Sequence, residues 1–376
     1  MKSTIALILL LSLLLGGCSN FMDGEYHSIK PHQQQESQPG QQIQTVSNYT
    51  ELCNTLAAMV ENGLESGIIS VPDYDKDRVE EDMTAAIQRT VTQNPIAAYA
   101  VSEITFDMGA NAGQPAIAVT IVYTHDRTQV LKIKRVESWD AVMKAVADAL
   151  DSCASCIVLY TPVYEQLDLD QWVANYATAN PDKVMEIPTI TANVYPESGQ
   201  ARVLELKFTY QNSRDDLRNM QNKVKLMFNA AQIYAGKDAD VQERYFRLYS
   251  FLMGSFQSFQ LETSITPSYS LLEHGVGDCR AFAVVYAAMC NQAGLECMVV
   301  SGGTRFGEPW CWNIICVDGV YYHVDLLDCH QKDDFEMKSD SDMTGHVWDY
   351  SAYPPCGDQQ EESVVPPTEP PVEPTE

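Results

Sequence analysis

Asp278 and Cys279 stand at the head of an apolar run, Ala281, Phe282, Val284, Val285, Ala288 and Met289, that closes near Gly294. Its apolar groups surround a helix on all sides, so that helix belongs in a domain centre. Asp278 is a good N-cap and Gly294 a good stop. A thiol in the first turn faces unpaired backbone N–H groups and the positive end of the helix dipole, which favour thiolate. Cys279 is therefore a candidate nucleophile for acyl transfer, and that chemistry needs a base to take the thiol proton.

The stretch WCWNIICVDGVYYHVDLL, residues 310–327, reads as a hairpin: two alternating runs joined by Asp318-Gly319, the strongest short hairpin signal. A two-residue loop pairs 317 with 320, which sets 312 opposite 325 and 310 opposite 327. Positions 310, 312, 323 and 325 then share one face, with residue 310 about 7 Å from Asp325 on the diagonal. Position 310 is Trp. His323 shares the face of Asp325 and is the first candidate to supply an imidazole, while His274, His330 and His346 could approach from loops. The plainer reading of His323 is a packed strand histidine beside two tyrosines, because its opposite neighbour is Ile314 rather than the Trp310 corner.

A buried helix opening with Cys, a strand ending in aromatic-Asn, then YYHVD and the closing DMTGHVWDYSAYPPC resemble the bacterial transglutaminase-like domain of the papain-like cysteine superfamily, over roughly residues 264–356. The resemblance implies that Cys279 matches the nucleophile and Asp325 the residue that orients the base. Trp310 stands where that family has its histidine. Without an imidazole the Cys-His-Asp logic of thiol activation fails, and helix-dipole help of about 1 kcal/mol does not replace it. An indole offers one N–H donor and no acceptor, so Trp310 is expected to hydrogen-bond Asp325 and fill substrate space without moving protons. Asp325 is then a structural acceptor.

Two further stretches precede this domain. NYTELCNTLAAMVENG and SWDAVMKAVADALDS read as amphipathic helices, the first with Leu52, Leu56, Met59 and Val60 on one stripe, the second with Val142, Val146 and Leu150. Each is followed by an apolar run, a Tyr-acid element and a second helix, stopped at Asn94-Pro95 and Asn180-Pro181. Each half then gives two strands, AAYAVSEITF with AIAVTIVYTHDR and TITANVY with ARVLELKFTYQNSR, where Ile117, Val119, Ile121 and Tyr123 alternate, as do Leu204, Leu206, Phe208 and Tyr210. The shared order predicts two similar small α+β units, 47–135 and 136–215, built as an internal repeat. Arg127 and Arg214 recur at matching places and read as solvated turn or salt-bridge residues, with a binding surface between the two units as the sharper alternative. A helical connector, 216–262, leads to the transglutaminase-like domain, 263–356. The expected fold class is α+β throughout.

The chain has 376 residues, long enough for several cores, and 24 basic against 51 acidic residues give a net charge of -27. That charge repels phosphate, so nucleic acid is not an expected partner. MKSTIALILLLSLLLGGC has the layout of an export signal with an apolar run too short to span a bilayer, and LGGC resembles a bacterial lipobox. The expectation is cleavage before a diacylated Cys18, and so a cell-membrane lipoprotein outside the cytoplasm. Residues 19–46, rich in Gln and Ser, read as a disordered linker, and 357–376 as a disordered acidic, proline-rich tail. Eleven cysteines permit bridges without requiring them. Cys153 and Cys156 in CASC have redox spacing but follow a helix and enter a strand, the reverse of a thioredoxin-type order. Cys290 and Cys297 flank a helix end and a strand start and could be bridged. No cofactor or metal is expected. The sequence thus favours a membrane-anchored lipoprotein whose transglutaminase-like domain is inactive and binds an envelope protein or peptide. The alternative is a cysteine acyltransferase or peptidase on envelope amides, using Cys279 with a displaced histidine.

Overall fold

The computed structural model describes residues 44–254, 257–258 and 265–357. The signal segment with Cys18, the linker as far as residue 43 and the tail from 358 lie outside the described residues. Chain contacts divide the protein into two compact units, one of residues up to 91 with 100–127, the other of 92–99 with everything from 128 on.

The first unit begins with β1 (Gln44–Thr45), α1 (Tyr49–Glu61), β2 (Ser66–Ser70) and α2 (Val79–Gln93). Asn48 caps α1 by accepting from the Glu51 N–H at 3.0 Å. Leu52, Leu56, Met59 and Val60 form its buried stripe, as the helical period requires. A short helix, α3 (Pro95–Ala100), whose residues as far as Tyr99 belong to the second unit, then leads back into the first through β3 (Val101–Asn111) and β4 (Gln114–Tyr123). In β4, Ile117, Val119 and Ile121 are buried and alternate with exposed Ala118, Thr120 and Val122. The strand order is β1-β2-β4-β3, with β1 parallel to β2 and the other neighbours antiparallel.

In the second unit come α4 (Arg127–Leu131), β5 (Lys134–Arg135), α5 (Trp139–Asp151), β6 (Cys156–Thr161), α6 (Leu169–Ala179), β7 (Thr189–Tyr195) and β8 (Arg202–Thr209). Their sheet has the order β5-β6-β8-β7, again with one parallel pair, β5 with β6, and antiparallel neighbours beyond it. Two sheets with the same order and the same pairing senses therefore follow one another along the chain.

Three expectations need correction. AAYA, read as strand, is the end of α3: Asn94 accepts from the N–H groups of Ile96 and Ala97, both at 3.0 Å, so the first Asn-Pro starts a new helix as well as ending one. The boundary at 135 falls too late, because Lys134–Arg135 pairs with Leu159 and Tyr160 of the second sheet, while Gln44 and Thr45 already pair with Ile69 and Ser70 ahead of the boundary at 47. The helices read as a connector are part of a core. Leu217, Val224 and Phe228 of α7 (Arg214–Ala235) and Tyr245, Leu248 and Leu252 of α8 (Val241–Met253) share one buried cluster with the helices and strands that follow.

Those are β9 (Gln257–Ser258), α9 (Pro267–His274), β10 (Val276–Gly277), α10 (Cys279–Gln292), β11 (Cys297–Thr304), β12 (Pro309–Val317), β13 (Val320–Val324), α11 (Leu326–Lys332) and β14 (His346–Val347). Strands β13-β12-β11-β14 make an antiparallel sheet, and β9 pairs with β10 in a separate ribbon. One face of the sheet, with Ile315 and Val324, packs on α10 through Phe282, Val285, Tyr286 and Met289. The other face, with Val300, Trp312 and Ile314, is covered by Met343, Trp348 and Cys356 of the C-terminal segment. The sheet is thus buried on both sides, and its two faces carry different chemistry.

Candidate functional site

Asp278 caps α10 by accepting from the Ala281 N–H at 2.8 Å, which fixes Cys279 as the first helical residue. The helix is held over the sheet by Asn313, fully buried, whose Nδ2 donates to Ala283 O at 2.8 Å and to Met298 O at 3.2 Å. That clamp sets the position of Cys279 against β12. A buried amide in an otherwise apolar strand is the signal by which sequence reading could have found Asn313.

The hairpin register is the expected one: Val317 opposite Val320, Ile314 opposite His323 and Asn313 opposite Val324. Continued by one step it brings residue 312 opposite 325, and the side chains of one face meet as that register requires. Trp310 Nε1 donates to Asp325 Oδ2 at 2.7 Å. Asp325, almost fully buried, also caps α11, its Oδ1 accepting from the N–H groups of Leu327 and Asp328 at 3.1 Å each. A third group reaches it from β14: His346 Nε2 lies 3.0 Å from the same Oδ2 that receives the indole. An ionised carboxylate only accepts, so Nε2 carries the hydrogen and the Nδ1 of a neutral His346 is a bare lone pair. That Nδ1 is buried and has no hydrogen-bond partner among the described residues.

His323, the imidazole that sequence favours for rescue, is engaged elsewhere. Its Nδ1 accepts from Trp312 Nε1 at 2.9 Å and its Nε2 meets Asp340 Oδ1 at 2.8 Å. It is fully buried, and burial lowers its pKa despite the opposing pull of Asp340. The plainer reading of this residue fits its surroundings, with the correction that its partners are Trp312 and Asp340 rather than the two tyrosines. Asp340 also accepts from the Cys356 N–H at 3.0 Å, so the pair ties the C-terminal segment to the sheet. His323, Asp340 and Cys356 could each offer a ligand atom within 4.8 Å of the others. Trp312 occupies the Nδ1 lone pair, so the hydrogen sits on Nε2, and a metal there would have to displace the proton shared with Asp340. His274 packs edge-on against Tyr269, and His330 is exposed on α11.

Among the described residues, Cys279 is hydrogen-bonded to no imidazole. Its sulfur accepts from the Cys311 backbone N–H at 3.3 Å, which places the Cys311 thiol as its nearest titrating neighbour. One proton is shared between two sulfurs, so one ionises early and the other late. Donating to its neighbour, then burial, pushes the Cys279 thiol well up. The same hydrogen bond lowers Cys311 to about 7, helped by Ser301 and Arg280 against the cost of burial. Sequence reading missed Cys311. Its parity in β12 is the signal that could have found it, since residues 311 and 313 share the face turned to α10.

Residues 229–326 match the family model of the Transglutaminase-like superfamily. Among solved structures, a TGase shares 10% identity at a TM-score of 0.25, over 46% of this chain and 51% of that one, so the chain spans about half the length of that protein. A candidate cysteine protease from Cytophaga hutchinsonii shares 12% identity at a TM-score of 0.26, over 43% of this chain and 70% of its own. A candidate protease from Parabacteroides distasonis shares 10% at a TM-score of 0.23, over 69% and 39%. Comparison with curated proteins gave no match. The family match begins within α7, in keeping with the shared core of α7 to α11, and the C-terminal part of this α+β chain is a transglutaminase-like domain.

Proposed function

We propose that the protein is a membrane-anchored lipoprotein outside the cytoplasm, whose transglutaminase-like domain no longer transfers acyl groups and serves to bind or scaffold an envelope protein or peptide. The observation that carries the loss of catalysis is the indole of Trp310 on Asp325. A nucleophilic thiol needs an acceptor for its proton, and the group held by this carboxylate has none. The thiol of Cys279 is itself raised rather than lowered, by donating to Cys311 and by burial. The anchor rests on the LGGC stretch and the export-signal layout before it. In a membrane fractionation, replacing Cys18 by Ala releases the protein, and a variant equally bound after a salt wash would remove the anchor from this reading.

The activity test is incorporation of a fluorescent primary amine into a glutamine-bearing protein, together with hydrolysis of its side-chain amides. Neither is expected. A second reading, an active enzyme with a displaced base, is favoured by the His346 contact with Asp325 and its bare Nδ1. Incorporation by wild type that vanishes in His346→Ala would establish that reading in place of the first.

A further inference from the structure

The thiol of Cys279 faces a second thiol. Cys279 is fixed at the head of α10 by the Asp278 cap, and Cys311 lies in β12 opposite Ser301. Asn313, two residues along, is clamped to Ala283 of α10, so Cys311 shares the face turned to that helix. The 3.3 Å bond from the Cys311 N–H to Cys279 Sγ shows how closely strand and helix approach there. Both residues are half-buried. They differ in this from Cys290 and Cys297, which are closed off in the core.

We propose that Cys279 and Cys311 are a redox-active dithiol that forms a reversible intramolecular disulfide by exchange with a low-molecular-weight disulfide. The Cys311 N–H bond to Cys279 Sγ sets the two residues side by side at the meeting of α10 and β12, and half-burial leaves room for a slim reagent rather than a folded protein. The thiolate of Cys311 attacks one sulfur of the reagent, whose S–S bond breaks and releases one thiolate. Cys279 then loses its proton and attacks the Cys311 sulfur of the mixed disulfide, expelling the second thiolate as the Cys279–Cys311 bond forms. Two electrons pass to the reagent, and its two thiolates take up the two protons released. An attacking thiol works best with a pKa near ambient pH, which is where Cys311 lies. This chemistry is independent of the loss of acyl transfer, since it uses the two sulfurs and no imidazole.

The test uses the full chain, reduced, freed of reductant and equilibrated with mixtures of reduced and oxidised glutathione before acid quenching and peptide mapping. The expected result is a Cys279–Cys311 link that rises with the oxidised share, removes two alkylatable thiols and returns them on reduction. In Cys311→Ser and Cys279→Ser that link is lost while the circular dichroism stays native. A natively folded wild type in which both cysteines remain free thiols, or carry glutathione separately with no link between them, would overturn the proposal. Either outcome leaves the amine-incorporation result untouched.

Discussion

Trp310 donates its indole N–H to Asp325 at 2.7 Å, so the carboxylate that would orient a base holds a group that cannot act as one. Trp310→His tests this directly. An imidazole at that position can bond the same carboxylate and keeps a second nitrogen able to accept a proton, which the indole lacks. The alkylation rate of Cys279, mapped by peptide against pH from 5 to 9, is expected to be low in wild type up to pH 9. In the variant it should rise about tenfold at pH 7 for each unit by which the Cys279 pKa falls. A wild-type Cys279 that alkylates with an apparent pKa near neutrality would mean that a base already serves it.

Asp325 has a second task, which sets the size of its own substitution. Removing the carboxylate leaves the Trp310 N–H and the N–H groups of Leu327 and Asp328 without their acceptor in a buried place. Asp325→Ala should cost about 2–4 kcal/mol of stability, from a lost cap and stranded donors. Asp325→Asn keeps one oxygen for the cap and should cost about half as much. Urea unfolding followed by near-ultraviolet circular dichroism reads both, and a loss below about 0.5 kcal/mol in the Ala variant would show that the cap and the indole bond are dispensable.

How far the sequence reached is visible in the hairpin. Its register follows from one Asp-Gly loop, because strand side chains alternate with a period of two, and that period places Trp310 on the face of Asp325. The same argument was available for Cys311 on the other face. What it needed was the position of α10 over the sheet, a contact between residues more than thirty apart that no local pattern encodes. His346 was a candidate among three loop histidines, but its choice was hidden for a similar reason: its approach to Asp325 depends on β14 pairing with the far edge of β11 through only two residue pairs. AAYA went wrong on local chemistry, since Asn94 offers a cap that makes Pro95 a helix start.

The edge pairing that carries His346 depends on Gly302. A Cβ at position 302 would stand 2.7 Å from Trp312 Cη2 and closer still to Val347 O, so strand β14 and the indole both occupy the space a side chain would need. Gly302→Ala should destabilise the domain by about 1–3 kcal/mol, as overpacking does, and lift β14 from the edge. Amide exchange should then rise at Arg305, whose N–H donates to Gly345 O at 2.8 Å beside that edge. Unchanged protection there would mean that the indole, and not β14, gives way.

His323 makes the domain sensitive to mild acid. Its ring is fully buried between Trp312, which donates to Nδ1, and Asp340, which accepts from Nε2, with Trp348 edge-on to it. Burial is the largest influence and lowers its pKa below 6.5, outweighing the carboxylate of Asp340. The unfolded chain therefore binds a proton at this residue in a range where the folded domain does not. Stability from the neutral ring is fully present above about pH 6.5 and is lost as pH falls from there toward the lower folded value, with a slope of at most about 1.4 kcal/mol per pH unit. His323→Gln removes the titration, so the stability of wild type relative to this variant should fall between pH 7 and pH 5. Urea unfolding at several pH values in that range, followed by the near-ultraviolet signal of the clustered Trp312 and Trp348, measures the difference. A relative stability that stays flat or grows toward pH 5 would mean that His323 is charged in the folded domain and paired with Asp340 as an ion pair.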